Sequence, residues 1–416
     1  MDRDQAAYGC SSRPYDMDIP HEYDRPIHDL SDIGLPLVVG GAVRDSFLHA
    51  DNKDIDLEVY HVGMDDMIAF LHDRGYHVDE VGRRFGVLKV KGNGVHDLDV
   101  AVPRTENNVS AGHRGFTVDT DKNLLVPEAA SRRDFTINAM AYDPIAHRLI
   151  DPYGGERDLR DHVLRAVGPR FAEDPLRVLR GFQIASRFDL HMDDDTVNMC
   201  RGLRGQAASL SGERVREEWV KFYNRSSNPT AGTNVLRQTG WDDTISGLHD
   251  ALRSHDLDGD LIRAWHMSDD PVIRAGVLGR HVDADDRGAF LRATMHDHDM
   301  AGAANRLTKV RADDLMTVAD RREWEWKHRG KKGPVLADIS VYGAAINDNK
   351  LTGLTSQDQG VIKPFVNGDD VISASTVRPG AWTRVLLDDL RHEQYQGRVN
   401  DRESALALMR SRLTEL

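Results

Sequence analysis

Gly40-Gly41-Ala42-Val43-Arg44-Asp45, eight residues, then Asp54-Ile55-Asp56 is the stretch on which the reading of this chain turns. The run before it, Leu35-Pro36-Leu37-Val38-Val39, is apolar and reads as a buried strand ending at the glycine pair. Glycines there let backbone N–H groups approach a triphosphate closely, and the helix that should come next aims its positive end at it. Asp54 and Asp56 are two apart on a strand and project to one face. Carboxylates so placed can hold Mg²⁺, which lowers the pKa of an attacking hydroxyl and bridges phosphates. A lone D-x-D is usually a solvated strand edge; its spacing from the glycine pair argues for a site.

Working outward, DIDLEVYHV, FGVLKVKG and HDLDVAV read as further strands. Between the first two lies MDDMIAFLHDRG, with Met64, Met67, Ile68 and Leu71 on one helical face and Gly75 as a stop. Residues 35–150 are therefore expected to form an α/β head, with residues 1–34 as an N-terminal extension that packs against it. After Asp151 strand signals fade. EDPLRVLRGFQIASRF, DDDTVNMCRGLRGQA and ERVREEWVKFYNR predict a helical neck over 151–225, and 226–416 stays largely helical, with breaks near Gly330 to Pro334 and Arg378 to Gly380.

Composition sets outer bounds. The chain has 416 residues, 40% hydrophobic and 29% charged, which excludes disorder as its main state. Mean hydropathy is −0.52 and the longest nearly apolar run, Leu35 to Val43, falls far short of the ~20 residues of a membrane span. No apolar signal segment is readable at the N-terminus, so a cytoplasmic address is expected. Two cysteines, Cys10 and Cys200, cannot build a disulfide framework or a structural zinc site. The net charge of −14 argues against a generally basic coat but leaves room for a local basic groove.

GGAVRD followed by DID resembles the head of the class II template-independent nucleotidyltransferases, the CCA-adding enzymes and bacterial poly(A) polymerases. VGRRFGVLKV, LDVAVPRTE, GHRGF, RRDFTINA, DPYGG and EDPLRVLR come next in the family's order. The resemblance implies an α+β fold, with a polymerase-beta-like nucleotidyltransferase head of mixed, mainly antiparallel sheet followed by an all-helical neck, body and tail. It implies Asp54 and Asp56 as Mg²⁺ ligands and Asp99 as the third acid, with Asp97 ranked second. Gly40, Gly41 and Arg44 fall to the nucleotide, and Arg132, Arg133 and Asp134 to its ribose. An ion-paired turn leading into a strand, FTINAMAYD, is the plainer reading of that last motif.

Glu173, Asp174, Arg177 and Arg180 open the neck, where side chains can stand in for a template base. Cytosine and adenine each offer an amine donor beside a ring-nitrogen acceptor, and an Asp acceptor next to an Arg donor complements both. Uracil and guanine reverse the pattern. The competing reading makes Asp174 an N-cap before Pro175, with Arg177 as its ion partner. Both can hold together. Arg214, Arg216 and Lys221 are candidates for supporting the pocket or the RNA end, and a solvated amphipathic helix would carry the same charges.

Asn367-Gly368-Asp369-Asp370 and Arg378-Pro379-Gly380 resemble, more weakly, the tail of CCA-adding enzymes. Trp324 to Lys332 interleaves aromatics with basic residues, as an RNA grip or a solvated helix end would. His296-Asp297-His298-Asp299 lacks the scattered partners of a phosphohydrolase site. The expected reaction is attack of a tRNA 3′-hydroxyl on the α-phosphate of CTP or ATP with release of pyrophosphate. Poly(A) addition, CC-only or A-only addition, and a non-catalytic RNA-binding relative are the alternatives. No protein partner is readable, and the sequence leaves oligomeric state and tRNA preference open.

Overall fold

Strand alternation around Asp56 organises the first of two units, Met1–Ile245 and Ser246–Leu416, in the computed structural model, which describes residues 7–48, 55–108, 116–328, 336–354, 364–375 and 379–414. The first unit runs β1 (Ser12–Pro14), α1 (Asp24–Ser31), β2 (Leu35–Val39), α2 (Gly41–Phe47), β3 (Asp56–Tyr60), α3 (Met64–Asp73), β4 (His77–Asp79), β5 (Val87–Gly92) and β6 (Val95–Ala101). A hairpin of β7 (Arg104–Asn108) and β8 (Phe116–Thr120) comes next, then α4 (Val126–Ala130), β9 (Ala141–Asp143), β10 (Arg148–Ile150) and α5 (Gly155–Arg160). Eight of these strands form one sheet in the order β1-β10-β9-β2-β3-β6-β5-β4. The β3–β6 pair is parallel and the other pairs are antiparallel, so the sheet is mixed and mainly antiparallel as the resemblance implied.

The period of two sorts β3 cleanly. Leu57 and Val59 point into one core with Val38, Leu88, Val90, Leu98 and Val100, covered by Ile27 and Leu30 of α1 and Met67, Ile68 and Leu71 of α3. Tyr60 lies on the opposite face with Leu37, Val39, Ala141, Val126 and Ala129. Asp56 and Glu58 share that second face. The N-terminal stretch is part of the head: β1 pairs with β10 at the sheet edge, and the Tyr8 hydroxyl donates to Asp143 at 2.8 Å.

FTINAMAYD departs from the expected strand. Phe135 makes only an isolated bridge to Ala166, residues Thr136–Asn138 form a 3₁₀ turn, and the strand is confined to Ala141–Asp143. The turn is stabilised locally, because the Asp134 carboxylate accepts from the Phe135 N–H and the Asn138 amide.

The chain continues through β11 (Val163–Leu164), α6 (Leu176–Phe188), β12 (His191–Met192), α7 (Asp194–Leu203), α8 (Gly212–Arg225) and α9 (Pro229–Thr239). Aromatic packing fixes α6 against α8: Phe182 stacks at 4.7 Å from Trp219 and 4.5 Å from Phe222, all three buried. Helix α9 also approaches α6, so closely that a Cβ at Gly232 would lie 2.7 Å from the Phe182 carbonyl and 2.8 Å from Ser186 Cβ.

The regular elements of the second unit are all helices among its described residues. It comprises α10 (Leu248–Ala251), α11 (Leu257–Met267), α12 (Pro271–Arg280), α13 (Ala284–Thr294), α14 (His298–Leu307), α15 (Val318–His328), α16 (Leu336–Ala345), α17 (Gly368–Ala374), α18 (Ala381–Tyr395) and α19 (Arg402–Leu413). Asp297 is the cap of α14, accepting from Asp299 N–H at 2.6 Å, which explains the His-Asp repeat as a helix start. Asp370 caps α17 reciprocally with Asn367 and pairs with Arg402 at 2.6 Å. Trp326 stacks on His392 at 4.9 Å. The expected break at Gly330 to Pro334 lies outside the described residues, as does Arg378 of the later one. No described helix is long and apolar enough to cross a membrane.

Gly232→Ala is expected to lower stability by about 1–3 kcal/mol, since backbone and Cβ atoms of α6 cannot yield as a flexible side chain would. Urea denaturation followed by circular dichroism checks this; an unchanged midpoint would refute the close approach.

Candidate nucleotide-binding site

Three segments converge at the open end of the β3–β6 pair. Asp56 begins β3 and is exposed, and its register partner across the parallel pair is Asp99 of β6. Paired residues of neighbouring strands point to one face, so two carboxylates stand side by side. Asp97 shares the face, and Lys89 of β5 reaches Asp99 at 3.1 Å and Asp97 at 3.4 Å. Carboxylate oxygens are the hard donors that Mg²⁺ takes. Asp54 lies outside the described residues, as does most of the GHRGF stretch.

The glycine pair is the second segment. Gly40 has φ +76°, a left-handed conformation that favours glycine, and a Cβ there would stand 2.7 Å from Arg133 Nη1. Helix α2 starts at Gly41. Arg44, read from sequence as a nucleotide contact, is buried and bound within the protein. It donates to Asp45 at 2.7 Å and to Asn138 Oδ1 at 2.5 Å, and stacks over Phe188. Asp45 also pairs with Arg187 at 3.4 Å, so α2 is tied to the end of α6.

The third segment is the turn Arg132-Arg133-Asp134 facing the start of α6. Arg132 Nη2 donates to Glu58 Oε1 at 2.9 Å, and Arg133 lies 3.8 Å from Glu58 Oε2. Burial raises the Glu58 pKa, but the two guanidiniums, helped by the Tyr60 hydroxyl at 2.9 Å, outweigh it and leave Glu58 below its ordinary value. The Tyr60 hydroxyl is pushed well up by burial and by the Glu58 charge.

Asp134 is 6% exposed. One oxygen takes the Phe135 N–H and the Asn138 amide at 2.8 and 2.9 Å; the other takes Arg180 Nε and Nη2 at 2.7 and 2.6 Å. Four bonds fill a carboxylate's usual acceptor capacity. Arg180 is thereby placed by Asp134.

At the neck the two readings of Asp174 and Arg177 part. The N-cap position of α6 falls to Pro175 rather than Asp174, which lies one residue before it, accepts from the Leu176 N–H at 3.0 Å and has Arg214 of α8 as its ion partner at 2.7 Å. Arg177 is 8% exposed and donates instead to the carbonyls of Arg170 and Arg132, each at 2.6 Å. The expected Asp174–Arg177 ion pair is therefore replaced by two separate anchors. Glu173 sits 4.0 Å from Arg170. Lys221 pairs with Glu218 at 2.7 Å. Glu58, Asn138 and Arg187 were missed in the sequence; an acid inside the otherwise apolar strand LEVY was the available signal for Glu58.

Residues 37–165 match the family described as the poly A polymerase head domain. The Multifunctional CCA protein of Neisseria gonorrhoeae (strain NCCP11945) is 38% identical over 206 residues, 49% of this chain and 47% of that protein. Its namesake in Xanthomonas campestris pv. campestris (strain B100) is 39% identical over 208 residues, 49% and 48%. The chain thus spans about half the length of the curated relatives it matches. The fold is that of the solved Bacillus stearothermophilus CCA-adding enzyme in complex with CTP, with a TM-score of 0.73 at 22% identity over 95% of this chain and 99% of that one. The Thermotoga maritima CCA-adding enzyme complexed with tRNA gives 0.63 at 18% over 97% and 99%.

Burial raises the Asp134 pKa, but Arg180, Asn138 and the Phe135 N–H together hold it at about 2, below its ordinary 3.8. A depressed carboxylate pKa adds stability that is full above pH 3.8 and is lost as pH falls towards 2. Asp134→Asn should cost about 2 kcal/mol at pH 7, with the gap to wild type narrowing below about pH 4. Urea titrations across about pH 3 to 7 measure it; a gap independent of pH would refute the assignment.

Proposed function

We propose that this chain is a template-independent RNA nucleotidyltransferase that adds C and A residues to the 3′ end of tRNA from CTP and ATP. The observation that carries the reading is the register pairing of Asp56 with Asp99 beside the Gly40 turn, together with a neck helix that has Arg177 in its first turn and Asp174 just before it. The names of the CCA relatives support it.

In this reading Asp54, Asp56 and Asp99 hold Mg²⁺, which when bound neutralises phosphate charge and acidifies the attacking RNA hydroxyl. Gly40 and Gly41 let the main chain and the start of α2 meet the triphosphate. Arg133, against the Gly40 turn, contacts the triphosphate or ribose, while Asp134, its acceptor sites filled, acts by fixing Arg180 and Asn138. Asp174 accepts the amine of C or A and Arg177 donates to the neighbouring ring nitrogen. The bonds from Arg177 to two carbonyls fix its plane in advance, which suits discrimination between bases, since a freely rotating guanidinium would adapt to any acceptor.

Asp56→Ala is expected to reduce incorporation at least about a thousandfold, the loss of several kcal/mol of transition-state stabilisation. Arg177→Ala should lower C and A addition together and weaken the rejection of UTP, each base contact being worth about 1–3 kcal/mol. The test uses tRNAs ending before CCA, after C and after CC, each with one labelled nucleotide, resolved by product length. Near wild-type incorporation by Asp56→Ala would sink the acid assignment.

The family description of the head favours a second reading, poly(A) addition. With all four nucleotides present, growth that stops once CCA is complete supports the first reading. A long oligo(A) ladder on generic RNA, without C on truncated tRNA, supports the second.

A further inference from the structure

Glu58 is a charged group where the fold calls for an apolar one. It occupies the middle of β3, opposite Leu37 in β2, and is 2% exposed. A buried carboxylate is costly to desolvate, and replacing a whole buried ion cluster with apolar side chains of similar volume is often neutral or stabilising, whereas removing one partner alone strands the others. Stability alone therefore gives the Glu58, Arg132 and Arg133 cluster as a whole little reason to be ionic. What the Glu58 charge does is hold two cations of unequal firmness. Arg132 is bound closely at 2.9 Å, and its carbonyl in turn receives Arg177 Nη2 at 2.6 Å. Arg133 is shared at longer range, 3.8 Å from Glu58 and 3.4 Å from the Asn138 carbonyl, with Nη1 against the Gly40 turn. One guanidinium is held at hydrogen-bond distance and the other at longer range.

We propose that Glu58 is a positioning residue of the nucleotide site: its carboxylate, steadied by Tyr60, fixes Arg132 and holds Arg133 loosely at the glycine turn, where the phosphates of an incoming nucleoside triphosphate draw it over. This role rests on the nucleotidyltransferase function proposed for the chain. Because the Arg132 carbonyl is also an acceptor for Arg177, Glu58 ties the phosphate end of the nucleotide to the residue assigned to the base. A carboxylate is suited to this, since it can offer one oxygen to Arg132 while sharing the other between Tyr60 and Arg133.

The test compares full-length wild type with Glu58→Gln and Glu58→Leu, measuring unfolding midpoint, kcat and KM for CTP and ATP, and equilibrium dialysis of labelled CTP without RNA. In both variants KM for both nucleotides should rise about tenfold, with kcat within about threefold of wild type and CTP binding weakened in proportion. Glu58→Leu, which strands Arg132, Arg133 and the Tyr60 hydroxyl, should also lower the unfolding midpoint, so kinetics and dialysis are read at a temperature where both variants remain folded, and Glu58→Gln carries the comparison. Adding Glu58→Gln to Arg133→Ala should cost little further affinity. If neither Glu58 variant folds, Tyr60→Phe decides, and it should raise KM two- to threefold with kcat unchanged. Unchanged KM and CTP affinity in the folded variants, or a fall in kcat alone, would overturn the assignment. A wild type that binds CTP but extends no RNA would fail the proposed function and leave the dialysis to judge Glu58.

Discussion

The bond between Asp134 and Arg180 joins the sheet-bearing part of the first unit to its helical neck. Asp134 sits in a turn whose conformation it maintains through Phe135 and Asn138, and its second oxygen is chelated by a guanidinium from α6. From Asn138 the network passes to Arg44, then Asp45, then Arg187 at the far end of the same helix. Helix α6 is thus held at both ends to the loops around the glycine pair. The spacing between the acids of β3 and β6 and the residues at the start of α6 depends on these ties.

Paired charges of this kind add little net stability against their desolvation cost. The energy that offsets this cost comes from apolar packing on either side: the two-faced sheet and the Phe182, Trp219 and Phe222 stack beneath α6. Their large buried area permits a layer of arginines and carboxylates to be enclosed between them, and enclosure makes the layer rigid. For the function proposed above, a rigid layer of donors suits discrimination between bases without a template strand, because selectivity then comes from groups that cannot relax to meet the wrong partner.

Much of this was legible in the chain. The strand before Gly40, the helix over 64–73 with its Met67, Ile68 and Leu71 face, and the α6 and α8 helices follow from periods of two and 3.6 and from glycine stops. The convergence of Gly40, Asp56, Arg133, Asp134 and the start of α6 was readable through motif order. Hydrogen-bond partners were not. The expected pairing of Asp174 with Arg177 followed from their helical spacing, but α8 delivers Arg214 to Asp174 across 40 residues while the Arg132 carbonyl receives Arg177.

Local pattern determined which segments are strands and helices, which face of each is apolar and which residue types carry the chemistry, because those properties depend on neighbours a few positions away. The sequence by itself thus placed acids, glycines and arginines on the elements that hold them. The tertiary structure decided how those groups are used: that Arg44 and Asp134 are engaged within the protein, that Glu58 is enclosed, and that FTIN is a turn. A guanidinium or carboxylate has several acceptors or donors within reach in any fold, and only the packing of distant segments, here β3, the 132–134 turn and α6, settles which of them it meets.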